Sequence, residues 1–91
     1  MLKQTAVIAH AVGLHARPAA MVVKAISASG KKVSFSRVGQ KPVNAASMLS
    51  VLSLGLKQGE EVEITIEEDA NDLMNEIVKL ITTPLNEWVG N

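Results

Sequence analysis

The sequence predicts an open-faced α+β sandwich, a four-stranded antiparallel sheet with three helices on one face. Three observations support this. Apolar residues recur with strand and helix periods in the order β-α-β-β-α-β-α. The strands alternate in polarity, as suits a sheet covered on one side only. Ninety-one residues suit a single domain, taken as 1–91, with no repeat, linker or low-complexity tract.

Leu2–Ala9 reads as the first strand, with Ala6 and Ile8 on one face and Thr5 and Val7 on the other, and Gly13 breaks it. A helix follows over Ala16–Ser29. Pro18 lies in its first turn, where a missing N–H costs little, and Ala19, Val22, Val23 and Ile26 form its apolar stripe before Gly30. Lys32–Arg37 alternates with Val33 and Phe35 inward. Val38-Gly39 turns the chain, and Gln40–Val43 returns as a short edge strand containing Pro42. Asn44–Ser47 is rich in capping residues and opens a short helix that ends at Gly55. Glu61–Glu67 alternates Val62, Ile64 and Ile66 with polar residues. Asp69 is placed as the cap of a last helix carrying Leu73, Ile77, Leu80 and Ile81, which ends at the residue before Pro84. The first and fourth strands are expected to pair at the centre of the sheet.

Composition excludes several function classes. The chain has no cysteine, so disulfides, cysteine zinc sites and thiol nucleophiles are ruled out. His10 and His15 are too few for a polyhistidine metal site, and no metal or cofactor is expected. Phe35 and Trp88 are the only aromatic residues, a poor inventory for stacking bases. The longest apolar stretch, Met48–Leu56, is too short to span a bilayer, and Lys3, Gln4, His10, His15 and Arg17 interrupt any signal-peptide core. A cytoplasmic protein without membrane insertion is expected. Net charge is zero, but unevenly arranged: residues 1–57 hold eight cations and no carboxylate, and residues 58–91 hold nine carboxylates and one lysine. Such a split points to a charged partner or substrate.

The segment richest in chemistry is Gly13-Leu14-His15-Ala16-Arg17-Pro18. A glycine turn ends a strand, and histidine takes the N-cap position of the next helix. Backbone N–H groups at Ala16 and Arg17 favour an anion there and disfavour imidazolium, leaving a neutral ring nitrogen as nucleophile. Arg17 adds a guanidinium fork suited to phosphate oxygens. Met21 and Lys24, at i+4 and i+7, share its face. Such a histidine could accept a phosphoryl group; equally, a histidine beside a helix start can be a plain capping or surface residue, and Arg17 and Lys24 a solvated face.

These residues, continued by Ala19-Ala20, resemble the active-site signature of the HPr family, the histidine-containing phosphocarriers of the bacterial phosphotransferase system. Val43-Asn44-Ala45-Ala46-Ser47-Met48-Leu49, followed by Leu54-Gly55 and Gly59, resembles the family's second signature. The resemblance covers about residues 2–83 and leaves residues 84–91 unassigned. It implies that His15 accepts a phosphoryl group at Nδ1 from phospho-enzyme I, charged by phosphoenolpyruvate, and passes it to enzyme II A-type domains for sugar uptake. Arg17 would stabilise the phosphoryl charge. Ser47 would match a serine that a dedicated kinase, opposed by a phosphorylase, modifies in many relatives. Met48, Leu49 and Leu52 match exposed apolar positions, a docking patch completed by Met21 and Lys24, although an all-core helix is the competing reading. The chain is expected to act as a monomer, and as a carrier rather than a stand-alone turnover enzyme, because residues 1–57 hold no carboxylate to activate water.

Three residues depart from the family pattern. Val12 replaces a small polar residue, Ala46 stands where lysine is frequent before the serine, and His10 has no family role and reads as a strand-end surface residue. Two other functions compete: a nitrogen-type regulatory phosphocarrier with the same His15 chemistry, and a non-enzymatic domain binding RNA or another acidic polymer. Sparse aromatics weigh against nucleic acid.

Overall fold

A computed structural model describes residues 1–11, 13–14 and 16–83. Its elements are β1 (Leu2–Val7), α1 (Ala16–Ser29), β2 (Val33–Arg37), β3 (Val43–Asn44), α2 (Met48–Ser53), β4 (Glu61–Ile66) and α3 (Asn71–Thr82). The strands form one antiparallel sheet in the order β1-β4-β2-β3, an open-faced α+β sandwich with the three helices.

Alternation places the core. Ala6 opposes Val62, and Phe35 opposes Ile64, and all four are buried. Ala19, Val22 and Ile26 of α1, Val51 of α2, and Leu73, Met74, Ile77 and Ile81 of α3 pack over this face. Burying a Val, Ile or Phe side chain contributes about 1.5–3 kcal/mol, so the helices are held chiefly by their apolar stripes. Helix α3 packs against β1 and α1, and α1 against α2, so α1 is the middle helix of the layer.

The sheet corrects one expectation. β1 does pair with β4, but as an outer strand; β4 and β2 are the central pair. The inward face of β1 is thin, with Leu2 half-buried, Gln4 exposed and Ala6 small, whereas Val62, Ile64 and Ile66 of β4 are fully buried. β1 also ends at Val7; Ile8 and Ala9 continue into backbone bonds with Glu60 and Ile81. The third strand begins after Pro42, which has no N–H to donate, and pairs only through Val43 and Asn44. Asn44 Oδ1 accepts the Ala46 N–H at 2.9 Å, so Asn44–Ala46 form a turn ahead of α2. Asp69 does not cap α3. The cap position is Ala70, which makes no side-chain cap bond, and Asp69 instead takes the N-terminal ammonium at 3.3 Å.

Candidate phosphoryl-transfer site

The strand-to-helix turn ahead of α1 is built on the loop that follows α2. Gly13 adopts φ +77° and donates its N–H to the His10 carbonyl at 2.8 Å. Leu14 is buried and donates to the Leu56 carbonyl at 2.9 Å. A Cβ at residue 13 would overlap the Leu56 carbonyl oxygen and lie 3.0 Å from Lys57 Cα, so the two backbones meet where only glycine fits. His15 and Val12 lie outside the described residues, as do residues 84–91, Trp88 among them. The flanks of His15 are described on both sides, in Leu14 and Ala16.

Helix α1 starts at Ala16 as expected. Pro18 and Ala19 are buried and anchor its first turn, while Ala16 and Arg17 are exposed. N–H groups at the first positions of a helix have no intrahelical acceptor, so those of Ala16 and Arg17 are donors the helix itself does not use. Arg17, Met21 and Lys24 fall on one exposed face, with Met21 46% exposed.

In the adjacent helix, Ser47 is the N-cap, with Oγ accepting the Ser50 N–H at 3.3 Å. Its neighbours divide by depth. Val51 is fully buried, Met48 and Leu52 are half-buried against the core, and Leu49 is 81% exposed. The helix is therefore not wholly core. It offers Leu49 to solvent, with parts of Met48 and Leu52 beside it.

His10 corrects the surface reading. It is 1% exposed, and its Nε2 lies 2.7 Å from the Leu80 carbonyl near the end of α3. With Ala9 N–H donating to the Ile81 carbonyl at 3.1 Å, it ties the last turn of α3 to the segment entering the Gly13 turn.

Two residues that sequence reasoning passed over also reach this region. The Arg37 guanidinium holds Glu60 through Nη1 at 2.6 Å and Nη2 at 3.2 Å. It also donates from Nε to the Leu54 carbonyl at 3.0 Å and from Nη2 to the Gly55 carbonyl at 2.8 Å. Glu60 in turn accepts the Lys57 N–H at 2.7 Å. The Arg37 hydrogen bond, then that of Lys57, holds the Glu60 carboxyl below the usual glutamate range, and the same partnership raises Arg37. Glu60 thus brings a carboxylate to the loop that supports the Gly13 turn. Its oxygens are nevertheless taken by Arg37 and Lys57, so it is not placed as a free general base. Nothing in residue type or spacing could pair positions 37 and 60; only the sheet order does. Among the described residues, no group of three or more His, Asp or Glu side chains could hold a metal ion, and no helix is long and apolar enough to cross a membrane.

Known proteins share this arrangement. A family model described as the PTS HPr component phosphorylation site matches residues 2–83. The Phosphocarrier protein HPr of Streptomyces coelicolor is 44% identical over 78 residues, covering 85% of this chain and 84% of that protein. The Multiphosphoryl transfer protein of Salmonella typhimurium is 33% identical over 78 residues, 82% of this chain and 21% of that much longer protein. The crystal structure of HPr-C-His from Thermoanaerobacter tengcongensis superposes with a TM-score of 0.81 at 35% identity, covering 89% of this chain and 91% of that one. A glycine turn feeding a helix that exposes arginine, on this sheet order and with these relatives, places the chain in the HPr family of phosphocarriers of the phosphotransferase system.

Proposed function

We propose that this phosphocarrier takes a phosphoryl group on His15 from phospho-enzyme I and delivers it to enzyme II A-type domains for sugar uptake. The ring nitrogen attacks phosphorus as the donor's N–P bond breaks, and the reverse geometry releases the group to the next acceptor. The observation that carries this reading is the family match over residues 2–83, which spans the Gly13–Pro18 segment, together with a helix start there at which Arg17 is exposed and the Ala16 and Arg17 N–H groups are unused by the helix. Phosphoryl transfer relies on alignment and charge stabilisation, which Arg17 and these N–H groups supply and a partner surface completes. Met21, Lys24, Leu49 and the exposed parts of Met48 and Leu52 form the docking face. Ser47, at the edge of that face, is the site for regulatory phosphorylation by a kinase: added there, the phosphate brings roughly two negative charges beside Leu49 and weakens binding to acidic partners. The chain acts as a single cytoplasmic domain, 1–91, and as a monomer.

The test is incubation with enzyme I and labelled phosphoenolpyruvate. Acid-labile, base-stable label is expected on the wild type and absent from His15→Ala. Arg17→Ala is expected to keep the fold and slow transfer by about tenfold or more, the scale set by losing one donor to developing charge. Undiminished label on His15→Ala would overturn the assignment. Exchange with enzymes I and A-type domains of the sugar and nitrogen branches then decides between them by rate.

A further inference from the structure

Resting on His15 as the acceptor, we infer that Arg37 and Glu60 are positioning residues, a brace that holds the turn from which the transfer site is built. Four observations converge on it. Arg37 spends Nε, Nη1 and Nη2 on four acceptors: two Glu60 oxygens and the Leu54 and Gly55 carbonyls at the end of α2. Glu60 closes the loop from the other side by accepting the Lys57 N–H at 2.7 Å, while its own N–H donates to the Lys57 carbonyl at 3.0 Å. The loop so held, Leu54–Glu60, carries the Leu56 carbonyl that receives Leu14 N–H at 2.9 Å. It is also stitched to the end of β1, through Gly59 N–H to the Ile8 carbonyl and Ile8 N–H to the Glu60 carbonyl, both at 2.9 Å.

The path from Arg37 to the site is therefore short: two hydrogen-bonded steps joined by the backbone of residues 54–57. The guanidinium fixes Leu54, Gly55 and Glu60, these fix Leu56 and Lys57, and Leu56 fixes Leu14, the residue before His15. Arg37 is suited to the role because its planar fork binds carboxylate and carbonyl oxygens together, a pattern a lysine ammonium cannot reproduce. The brace is also partly exposed, with side-chain exposures of 29% for Arg37 and 36% for Glu60. Its loss should loosen the loop without emptying the core.

The experiment compares wild type, Arg37→Ala, Arg37→Lys and Glu60→Gln by native-state amide exchange and by transfer kinetics with phospho-enzyme I. In Arg37→Ala the Leu14 amide is expected to exchange at least about tenfold faster once the change at Ile64, a central-strand reference, is divided out. Transfer kcat is expected to fall by about three- to thirtyfold, as for a reacting group displaced by part of an ångström. Arg37→Lys keeps the charge but not the fork, so it should leave both kcat and Leu14 exchange impaired. Glu60→Gln retains an acceptor for Lys57 and should fall between, and it carries the test if Arg37→Ala does not fold. Leu14 exchange that merely follows Ile64, or full rescue by lysine, would overturn the brace. A wild type that takes no label on His15 overturns the carrier reading instead, and the exchange measurement still decides the brace.

Discussion

Replacing Gly13 by alanine tests the close approach on which the transfer site is built, and Gly39→Ala supplies the matched control. Both glycines have positive φ, +77° and +81°, so an alanine at either pays the same left-handed penalty, about 1–2 kcal/mol. They differ in surroundings. Among the described residues beyond its chain neighbours, none places an atom within 4 Å of a Cβ at residue 39, whereas at residue 13 the Cβ overlaps the Leu56 carbonyl oxygen and stands 3.0 Å from Lys57 Cα. Backbone cannot rotate away as a side chain can, so the loops must part and the Leu14 to Leu56 hydrogen bond of 2.9 Å stretches or breaks. Leaving that buried donor unsatisfied costs about 1–3 kcal/mol beyond the shared penalty. Urea unfolding of both variants measures the difference. At a slope of about 1–1.5 kcal/mol/M, Gly13→Ala should unfold roughly 1–2 M earlier than Gly39→Ala. Midpoints within about 0.3 M of each other, at equal slopes, would refute a rigid contact between the two loops.

Three further outcomes follow from the same geometry. Glu60 titrates below its unfolded value, so its stabilising contribution is present above the ordinary glutamate range and lost as pH falls through the depressed folded value. Thermal melts taken into acid should show wild type losing stability there and Glu60→Gln losing less; identical acid slopes would contradict the assignment. Leu49→Ser, at an 81% exposed position, should change unfolding free energy by no more than about 0.5 kcal/mol while raising the KM for phospho-enzyme I several-fold, and an unchanged KM would remove Leu49 from the docking face. His10→Ala deletes a buried ring bonded to the Leu80 carbonyl and should cost about 1–3 kcal/mol in urea unfolding. Faster amide exchange in the last turn of α3 should accompany it, and a loss below the precision of the melt would refute the tie.

Segments whose local pattern agrees with their tertiary role were legible. Helix α1 runs over the expected Ala16–Ser29 because its apolar stripe is also the face that packs on the sheet. β4 was the clearest strand, since Val62, Ile64 and Ile66 all lie on the buried side. The misreadings share a cause: partners distant in sequence. Two ladder pairs, set by the position of β2, decide the bounds of β3. Asp69 has the chemistry of a cap, yet the N-terminus of β1 folds close enough to take its carboxylate. His10 reads as a surface residue until α3 packs beside β1 and covers it. At the candidate site, the sequence singles out Gly13–Pro18 by its residue types; the loop that supports this turn comes from 54–60 and is visible only through long-range hydrogen bonds.

Sheet order also explains what becomes of the charge split between the two parts of the chain. The acidic strand β4 lies between β1 and β2, whose cations come from the basic part. Lys3 therefore meets Glu63 at 4.0 Å, Lys31 meets Glu68 at 3.3 Å, and Arg37 meets Glu60 at 2.6 Å. Exposed pairs of the first two kinds contribute little to stability, but they cancel field at one end and across the outer face of the sheet. Among the described residues, the guanidinium of Arg17 and the ammonium groups of Lys24 and Lys57 make no ion pair within 4.0 Å, although Glu60, whose carboxylate accepts the Lys57 N–H, feels the Lys57 charge. The first two lie on the open face of α1, and the backbone of Lys57 is packed against Gly13. Pairing across the sheet thus leaves uncompensated cations beside the turn that leads into His15. A neutral chain thereby keeps a locally positive face at α1, and the docking proposed for that face should be fast and should weaken as salt rises.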